Sequence, residues 1–199
     1  MGGDPIERAI DSLKRNEPLQ ALTALDGLPD QRQNGPEVLL LRGVCCLATG
    51  DGQRAYGYLS RAHQQKAGDP VITRNLITAI LAIAREGTLP QAVAHYENVL
   101  DLDPANAPAL LGLAHCLRES CDFADAAELY RAYLTEQADD VAALIGLGYC
   151  LQELRRHDEA RAVYDRALAL DPDARPLVLK SKSTASAGSI SLTGYAPTF

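Results

Sequence analysis

The sequence has no Trp, two Phe and one Met, so few large aromatic or flexible apolar side chains are available for a core. Aromatic residues make up 5% of the chain although 47% of it is hydrophobic, and Ala and Leu supply most of the difference. Strands are usually rich in β-branched and aromatic side chains, whereas Ala and Leu favour helices. The composition therefore predicts closely packed helices rather than a β-sandwich.

Long hydrophobic runs and an excess of basic residues are also missing. No segment approaches the roughly 20 apolar residues that a membrane-spanning helix needs, and Met1–Ile6 lacks the basic then apolar pattern of a signal peptide. The formal charge of −7 disfavours nucleic acid or an anionic membrane as principal partner, because both attract basic surfaces. We therefore expect a cytoplasmic protein with no membrane span and no nucleic-acid partner.

The sequence shows none of the common arrangements of catalytic or metal-binding residues. It contains no Walker-type phosphate loop, no His-Glu-x-x-His pair and no Gly-x-Ser-x-Gly turn, and its four His are scattered. The five cysteines lack the paired spacing of metal sites, and their odd number favours a reducing compartment. They are Cys45, Cys46, Cys116, Cys121 and Cys150. We predict no enzymatic activity, no cofactor and no metal site.

The chain repeats itself with a period of 34 residues. Shifting it by this distance superposes Leu110–Leu117 on Leu144–Leu151, and five of these eight positions are identical. The same shift carries Tyr96 onto Tyr130 and Tyr164. A fixed period of this length is typical of repeat proteins, in which each unit packs on its neighbours.

This pattern resembles the tetratricopeptide-repeat family, whose unit of about 34 residues contains a helix, a turn and a second helix. The resemblance implies an all-α fold, a right-handed superhelical solenoid of about five helix-turn-helix units. The degenerate N-terminal repeat is predicted at 1–35, four full units at 36–72, 73–106, 107–140 and 141–174, and a flexible Ser/Thr-rich tail at 175–199. The first full unit has three extra residues near Lys66 to Pro70.

Small and large residues alternate at fixed places in these units. Ala126 and Gly148 are expected to let neighbouring helices approach, and Tyr130 and Tyr164 to fill the space between helices. Gly50 marks a turn between two helices. The pattern predicts about ten helices.

In this family the first helix of each repeat lines a concave groove that binds the partner, and the matching positions here are mostly apolar. The predicted groove consists of Leu40, Val44, Arg74, Ile77, Leu81, Leu111, His115, Arg118, Ile145, Tyr149 and Gln152. An apolar patch of this extent is typical of a binding site for a protein or peptide, although each apolar residue could instead belong to the core. Gly112 and Gly146 are expected to admit a partner backbone.

Three functions fit the resemblance. The first is a non-enzymatic scaffold or adaptor that binds a peptide or an apolar helix in the groove. The second is a chaperone similar to the class II chaperones of type III secretion, which cradle hydrophobic client segments; the stretch Gly146–Cys150 looks similar. The third is a structural protein that assembles with copies of itself. A clamp for chaperone C-termini is excluded, because Val44, Ile77 and Leu111 replace its charged and amide side chains.

The last 26 residues differ in composition from the rest of the chain. Residues 174–199 contain Arg175, Lys180 and Lys182, no acidic residue and eight Ser or Thr. Their charge of +3 leaves −10 on residues 1–173. We expect Pro176 to stop the last helix and Leu177–Leu179 to lie extended on the end of the array. The remainder is a candidate for intramolecular docking on the oppositely charged repeats.

Overall fold

The computed structural model describes residues 4–175 and Val178. Over residues 4–174 it has ten α-helices, two short 3-10 turns and no strand, which confirms the predicted all-α class. The helices are α1 (Pro5–Lys14), α2 (Pro18–Asp26), α3 (Pro36–Ala48), α4 (Gly52–Gln65), α5 (Pro70–Glu86), α6 (Leu89–Leu102), α7 (Ala107–Glu119), α8 (Phe123–Glu136), α9 (Val141–Glu153) and α10 (His157–Leu170). None of these helices has both the length and the hydropathy needed to cross a bilayer.

Capping side chains fix where several helices begin. Asp51 accepts a hydrogen bond from the backbone N–H of Arg54, and Asn106 accepts one from that of Ala109. Asp140 caps α9 in the same way through the N–H of Ala143. These side chains satisfy N–H groups that have no partner within the first turn of a helix.

Four helices end in the same left-handed turn. The second residue after α1, α3, α7 and α9 has a positive φ: Asn16 at 60°, Gly50 at 79°, Cys121 at 65° and Arg155 at 62°. In each case the next residue donates a backbone hydrogen bond to a carbonyl five residues earlier, as from Asp122 to Leu117 at 2.8 Å. This is the Schellman pattern, which pairs the last carbonyls of a helix.

The chain forms two compact units, divided between Leu102 and Asp103. Unit 1 contains α1 to α6, and its helices pack in sequence, each on the next. Unit 2 contains α7 to α10 and is built in the same way.

Unit 2 uses glycine where a tyrosine ring fills the space between helices. A Cβ on Gly148 would lie 2.6 Å from Cε1 of Tyr164, and one on Gly146 would lie 2.6 Å from Cζ of Tyr130. Both rings are almost completely buried. The predicted pairing of small residues with large ones is therefore present, but Gly146 accommodates Tyr130 and not a partner backbone.

A side-chain hydrogen bond joins the end of α8 to the start of α9. The Tyr133 hydroxyl donates to Oδ2 of Asp140 at 2.8 Å, while Oδ1 of the same carboxylate accepts from Ala143. Burial raises the pKa of Tyr133 to about 12, with the Asp140 hydrogen bond as the second cause. Asp140 therefore fixes both helix ends at once.

Helix α5 begins at Pro70, because Asp69 accepts hydrogen bonds from the N–H groups of Val71 and Ile72 and caps the helix. One expectation differs from the structure near the end of the described residues. Val178 is helical and buried, so the expected extended conformation is wrong at this residue. The rest of the predicted tail, apart from Arg175, lies outside the described residues.

Candidate functional site

The predicted groove residues fall into two sets, one in each unit. In unit 1 they stand on α3 and α5, which contact each other, and in unit 2 they stand on α7 and α9, which also contact each other. We call the first set the α3–α5 surface; it consists of Leu40, Val44, Arg74, Ile77 and Leu81. We call the second set the α7–α9 surface; it consists of Leu111, His115, Arg118, Ile145, Tyr149 and Gln152.

The α3–α5 surface is mainly aliphatic. Leu40, Val44, Ile77 and Leu81 are all half-buried, whereas Arg74 is exposed. Leu40 packs against a core cluster that includes Leu39 and Ile72. Each of these aliphatic side chains contributes part of its area to unit 1 and leaves part available for contact.

The α7–α9 surface is less open than the sequence predicts at two positions. Leu111 and Ile145 are each only 8% exposed, so they belong to the core of unit 2 and do not form an open apolar lining. Burial of such aliphatic side chains contributes on the order of 2 kcal/mol each to folding, which explains why these positions are apolar without any need for a partner. The other four residues of this surface are half-buried.

Two ring contacts shape the α7–α9 surface. The His115 ring packs on Tyr130 with ring centroids 5.6 Å apart, and Tyr149 packs edge-on against Phe123 at 5.8 Å. Such tilted and edge-to-face arrangements are the favoured geometries of ring pairs. Phe123 was missed in the sequence because it lies on α8, outside the helices that the family pattern assigns to binding.

Burial controls the ionisation of this surface. The pKa of His115 is lowered to about 4, chiefly by burial and also by Arg118, against a smaller raising effect of Asp140. His115 is therefore neutral near pH 7. Burial also raises the pKa of Tyr149; Glu153 adds to that rise and Arg118 opposes it.

Two oxygens at this surface are buried without a hydrogen-bond partner among the described residues. They are Oε1 of Glu153 and the hydroxyl oxygen of Tyr130. Arg118 is half-buried, and no carboxylate of the described residues lies within ion-pair distance of it. Buried polar atoms are nearly always paired, so these two oxygens are exceptional among the polar atoms of the described residues. The sequence gives no sign that one oxygen of Glu153 is buried.

The thiols show no arrangement for chemistry. Cys45, Cys46, Cys116 and Cys150 are buried and Cys121 is exposed, as its position in a turn predicts. Burial raises the pKa of Cys45 to about 11 and that of Cys150 to about 12, which keeps these thiols protonated and unreactive near pH 7. Within residues 4–175 and 178, no group of three or more His, Cys, Asp and Glu side chains is placed to hold a metal ion.

Family profiles match most of the chain. One profile described as a tetratricopeptide repeat matches residues 6–70 and 117–175, and a second with the same description matches residues 84–128. The chain belongs to the tetratricopeptide-repeat family. Its helices and its small and large packing positions follow the pattern of tetratricopeptide repeats, a fold that supports protein interaction.

Solved structures of other tetratricopeptide-repeat proteins share this fold. MamA from Desulfovibrio magneticus RS-1 is 19% identical with a TM-score of 0.59, over 86% of this chain and 97% of that one. MamA of AMB-1 is 19% identical with a TM-score of 0.64, over 84% and 90%. YrrB, described as a TPR protein with an unusual peptide-binding site, is 16% identical with a TM-score of 0.64, over 90% of each chain. No curated protein sequence matches the chain.

Proposed function

We propose that this tetratricopeptide-repeat protein is a non-enzymatic scaffold that binds an apolar peptide segment on the α7–α9 surface. The observation that carries the proposal is Tyr149, a half-buried tyrosine whose ring is held edge-on by Phe123. A tyrosine fixed in this way offers contact area at little entropic cost, and tyrosines of this kind dominate binding energies at interfaces. The peptide-binding site described for YrrB, a protein of the same fold, supports the same kind of partner.

The α3–α5 surface is proposed as a second contact of the same kind. Its half-buried aliphatic side chains, Val44, Ile77 and Leu81, suit an aliphatic side chain of a partner, and the exposed Arg74 provides a polar rim. The chaperone interpretation requires this aliphatic surface to hold a hydrophobic client segment. We place the protein in the cytoplasm, because its five cysteines are free and a reducing compartment keeps them so.

We also propose that the chain's own basic segment competes for these surfaces. Residues 174–199 carry +3 and no acidic residue, against −10 on residues 1–173. A tethered segment has a high effective concentration near its own domain, so weak complementarity is enough for competition.

The test is a quantitative affinity purification with three chains: the wild type, Tyr149→Glu and the matched control Tyr56→Glu. Tyr56 is also a half-buried helical tyrosine, but it lies on α4 in unit 1. We expect proteins retained by the wild type to be lost with Tyr149→Glu and kept with Tyr56→Glu, because a charge at a desolvated contact costs a few kcal/mol. Equal helicity of the three chains by circular dichroism shows that folding is not the cause. Retention of the same proteins by Tyr149→Glu overturns the proposal.

A further inference from the structure

Glu153 adjoins the α7–α9 surface and carries a carboxylate with one buried oxygen. Glu153 is the last residue of α9 and is half-buried; its Oε1 is buried and accepts no hydrogen bond from the part of the chain that the structure describes. Withdrawing a carboxylate oxygen from water without a donor is unfavourable. A cation that arrives at this carboxylate therefore gains more than it would at a fully hydrated one.

The neighbouring cations of the chain do not neutralise Glu153. Arg156 is engaged by Glu159, with Nε to Oε1 at 2.7 Å. Arg155, held at φ 62° in the left-handed turn, donates no hydrogen bond to Oε1 of Glu153. Arg118 approaches from α7 closely enough to affect the pKa of Tyr149, but it forms no ion pair with Glu153.

Tyr149 stands one helical turn before Glu153. Residues four apart on a helix lie side by side on one face, so the phenol ring and the carboxylate are neighbours. The ring is fixed by Phe123 and half-buried, and a fixed aromatic face next to a carboxylate attracts a cation through two effects that reinforce each other.

The charges around Tyr149 favour a cation over an anion. Arg118, near the end of α7, and Glu153, at the end of α9, are the charged groups that act on the Tyr149 phenol. The exposed thiol of Cys121 and the buried thiol of Cys150 are the other titratable groups that act on the phenol. An acidic partner group would gain Arg118 but meet Glu153 and the negative face of the ring, whereas a basic group gains Glu153 and the ring face and meets Arg118.

We infer that the partner segment carries a Lys or Arg side chain that lies on the Tyr149 ring and pairs with Glu153, next to the apolar residue that contacts the rest of the α7–α9 surface. The inference rests on the proposed function and specifies the chemistry of its partner.

The test uses a displayed library of random short peptides selected on the full chain. We expect the selected peptides to contain Lys or Arg beside an apolar residue. For a selected lysine peptide, acetylation of the lysine should weaken binding about tenfold to the wild type. Glu153→Gln should remove this difference between the two peptides, while Glu136→Gln, which deletes an exposed carboxylate at the end of α8, should keep it.

The melting temperature distinguishes a role of Glu153 in partner recognition from a role in folding. Glu153→Gln should leave the melting temperature unchanged or raise it, because Oε1 has no hydrogen-bond partner among the described residues; a structural residue would lower it. Selected peptides without a basic residue, or an equal effect of acetylation on wild type and Glu153→Gln, overturn the inference. Selected peptides that still bind Tyr149→Glu contradict the proposed function itself, which is a different result.

Discussion

Gly148 lies directly against the ring of Tyr164, so close that a Cβ at this position would come within 2.6 Å of Cε1. The ring is 1% exposed and has no free side on which to move away. The packing of α9 against α10 therefore requires that residue 148 has no side chain. The small residue Gly148 and the large residue Tyr164 recur at fixed places in the sequence because they pack against each other.

Replacing Gly148 with Ala or Leu should therefore destabilise the protein. Overpacking of a close helix contact costs about 1 to 3 kcal/mol, with the larger effect for Leu. The matched control is Gly57→Ala on α4, where an added Cβ meets nothing within 4 Å. That change should stabilise the fold by about 0.5 to 1 kcal/mol, because Ala is the better helix former. Thermal unfolding measures both; equal shifts in the same direction would mean that the Gly148 contact does not limit packing.

The left-handed turn after α7 gives a second prediction. Cys121 has φ 65°, a conformation that costs a non-glycine residue roughly 1 kcal/mol or more. Cys121→Gly should stabilise the fold by about 1 kcal/mol, as Gly50 occupies the same turn after α3 without strain. Cys121→Ala keeps the strain and removes the thiol, so it should give little gain. Equal melting temperatures for the two variants would show that the strain is absent in solution.

Protonation of His115 is expected to lower the stability of the folded protein in mild acid. Its pKa is lowered to about 4 in the folded protein from an ordinary value of 6.5, chiefly by burial, with Arg118 adding to the effect and Asp140 opposing it. The unfolded chain binds the His115 proton more tightly than the folded chain does. The stability contributed by neutral His115 is therefore fully present above pH 6.5 and is lost as pH falls toward 4.

The measurement compares urea unfolding of the wild type and His115→Leu at several pH values. The variant should lose less stability than the wild type between pH 6.5 and 4, since it has no imidazole to protonate. His157→Leu, which removes an exposed histidine at the start of α10, is the control and should follow the wild type. A His115→Leu curve parallel to that of the wild type would contradict the expected contribution.

Removal of residues 181–199 tests the competition by the chain's own basic segment. If Lys182 and its neighbours compete with a partner, the truncated chain should bind a selected lysine peptide several-fold more tightly than the full chain. Lys182→Gln in the full chain should give part of that gain. Weaker binding after truncation would instead make the segment part of the binding site, and unchanged binding would remove it from the mechanism.

The sequence predicted the helical fold because its signals are local and repeated. The 34-residue spacing carries Gly148 and Tyr164 to fixed places, and the glycine at Gly50 marks a turn directly. The same turn after α7 could not be predicted in this way, because Cys121 gives no sign of a positive φ. The conformation is imposed by backbone hydrogen bonds at the helix end.

The candidate site could be predicted only in part. Helical periodicity assigns Leu111 and Ile145 to one face of their helices, but it does not give the distance to the neighbouring helices, and these two residues are buried. Phe123 fixes Tyr149 from another helix, a contact that no spacing within one helix reveals. The buried oxygen of Glu153 likewise depends on packing around the helix end.

The positions of the cysteines also allow a fluorescent dye to be attached at one defined place. All five cysteines lie in the described part of the chain, and Cys121 is the exposed one, in a turn beside Tyr149, while the other four are buried. A maleimide dye at neutral pH should therefore attach to a single position without any mutagenesis. Because that position adjoins the ring on which a partner is proposed to lie, the fluorescence of the attached dye would report occupancy of the α7–α9 surface in real time.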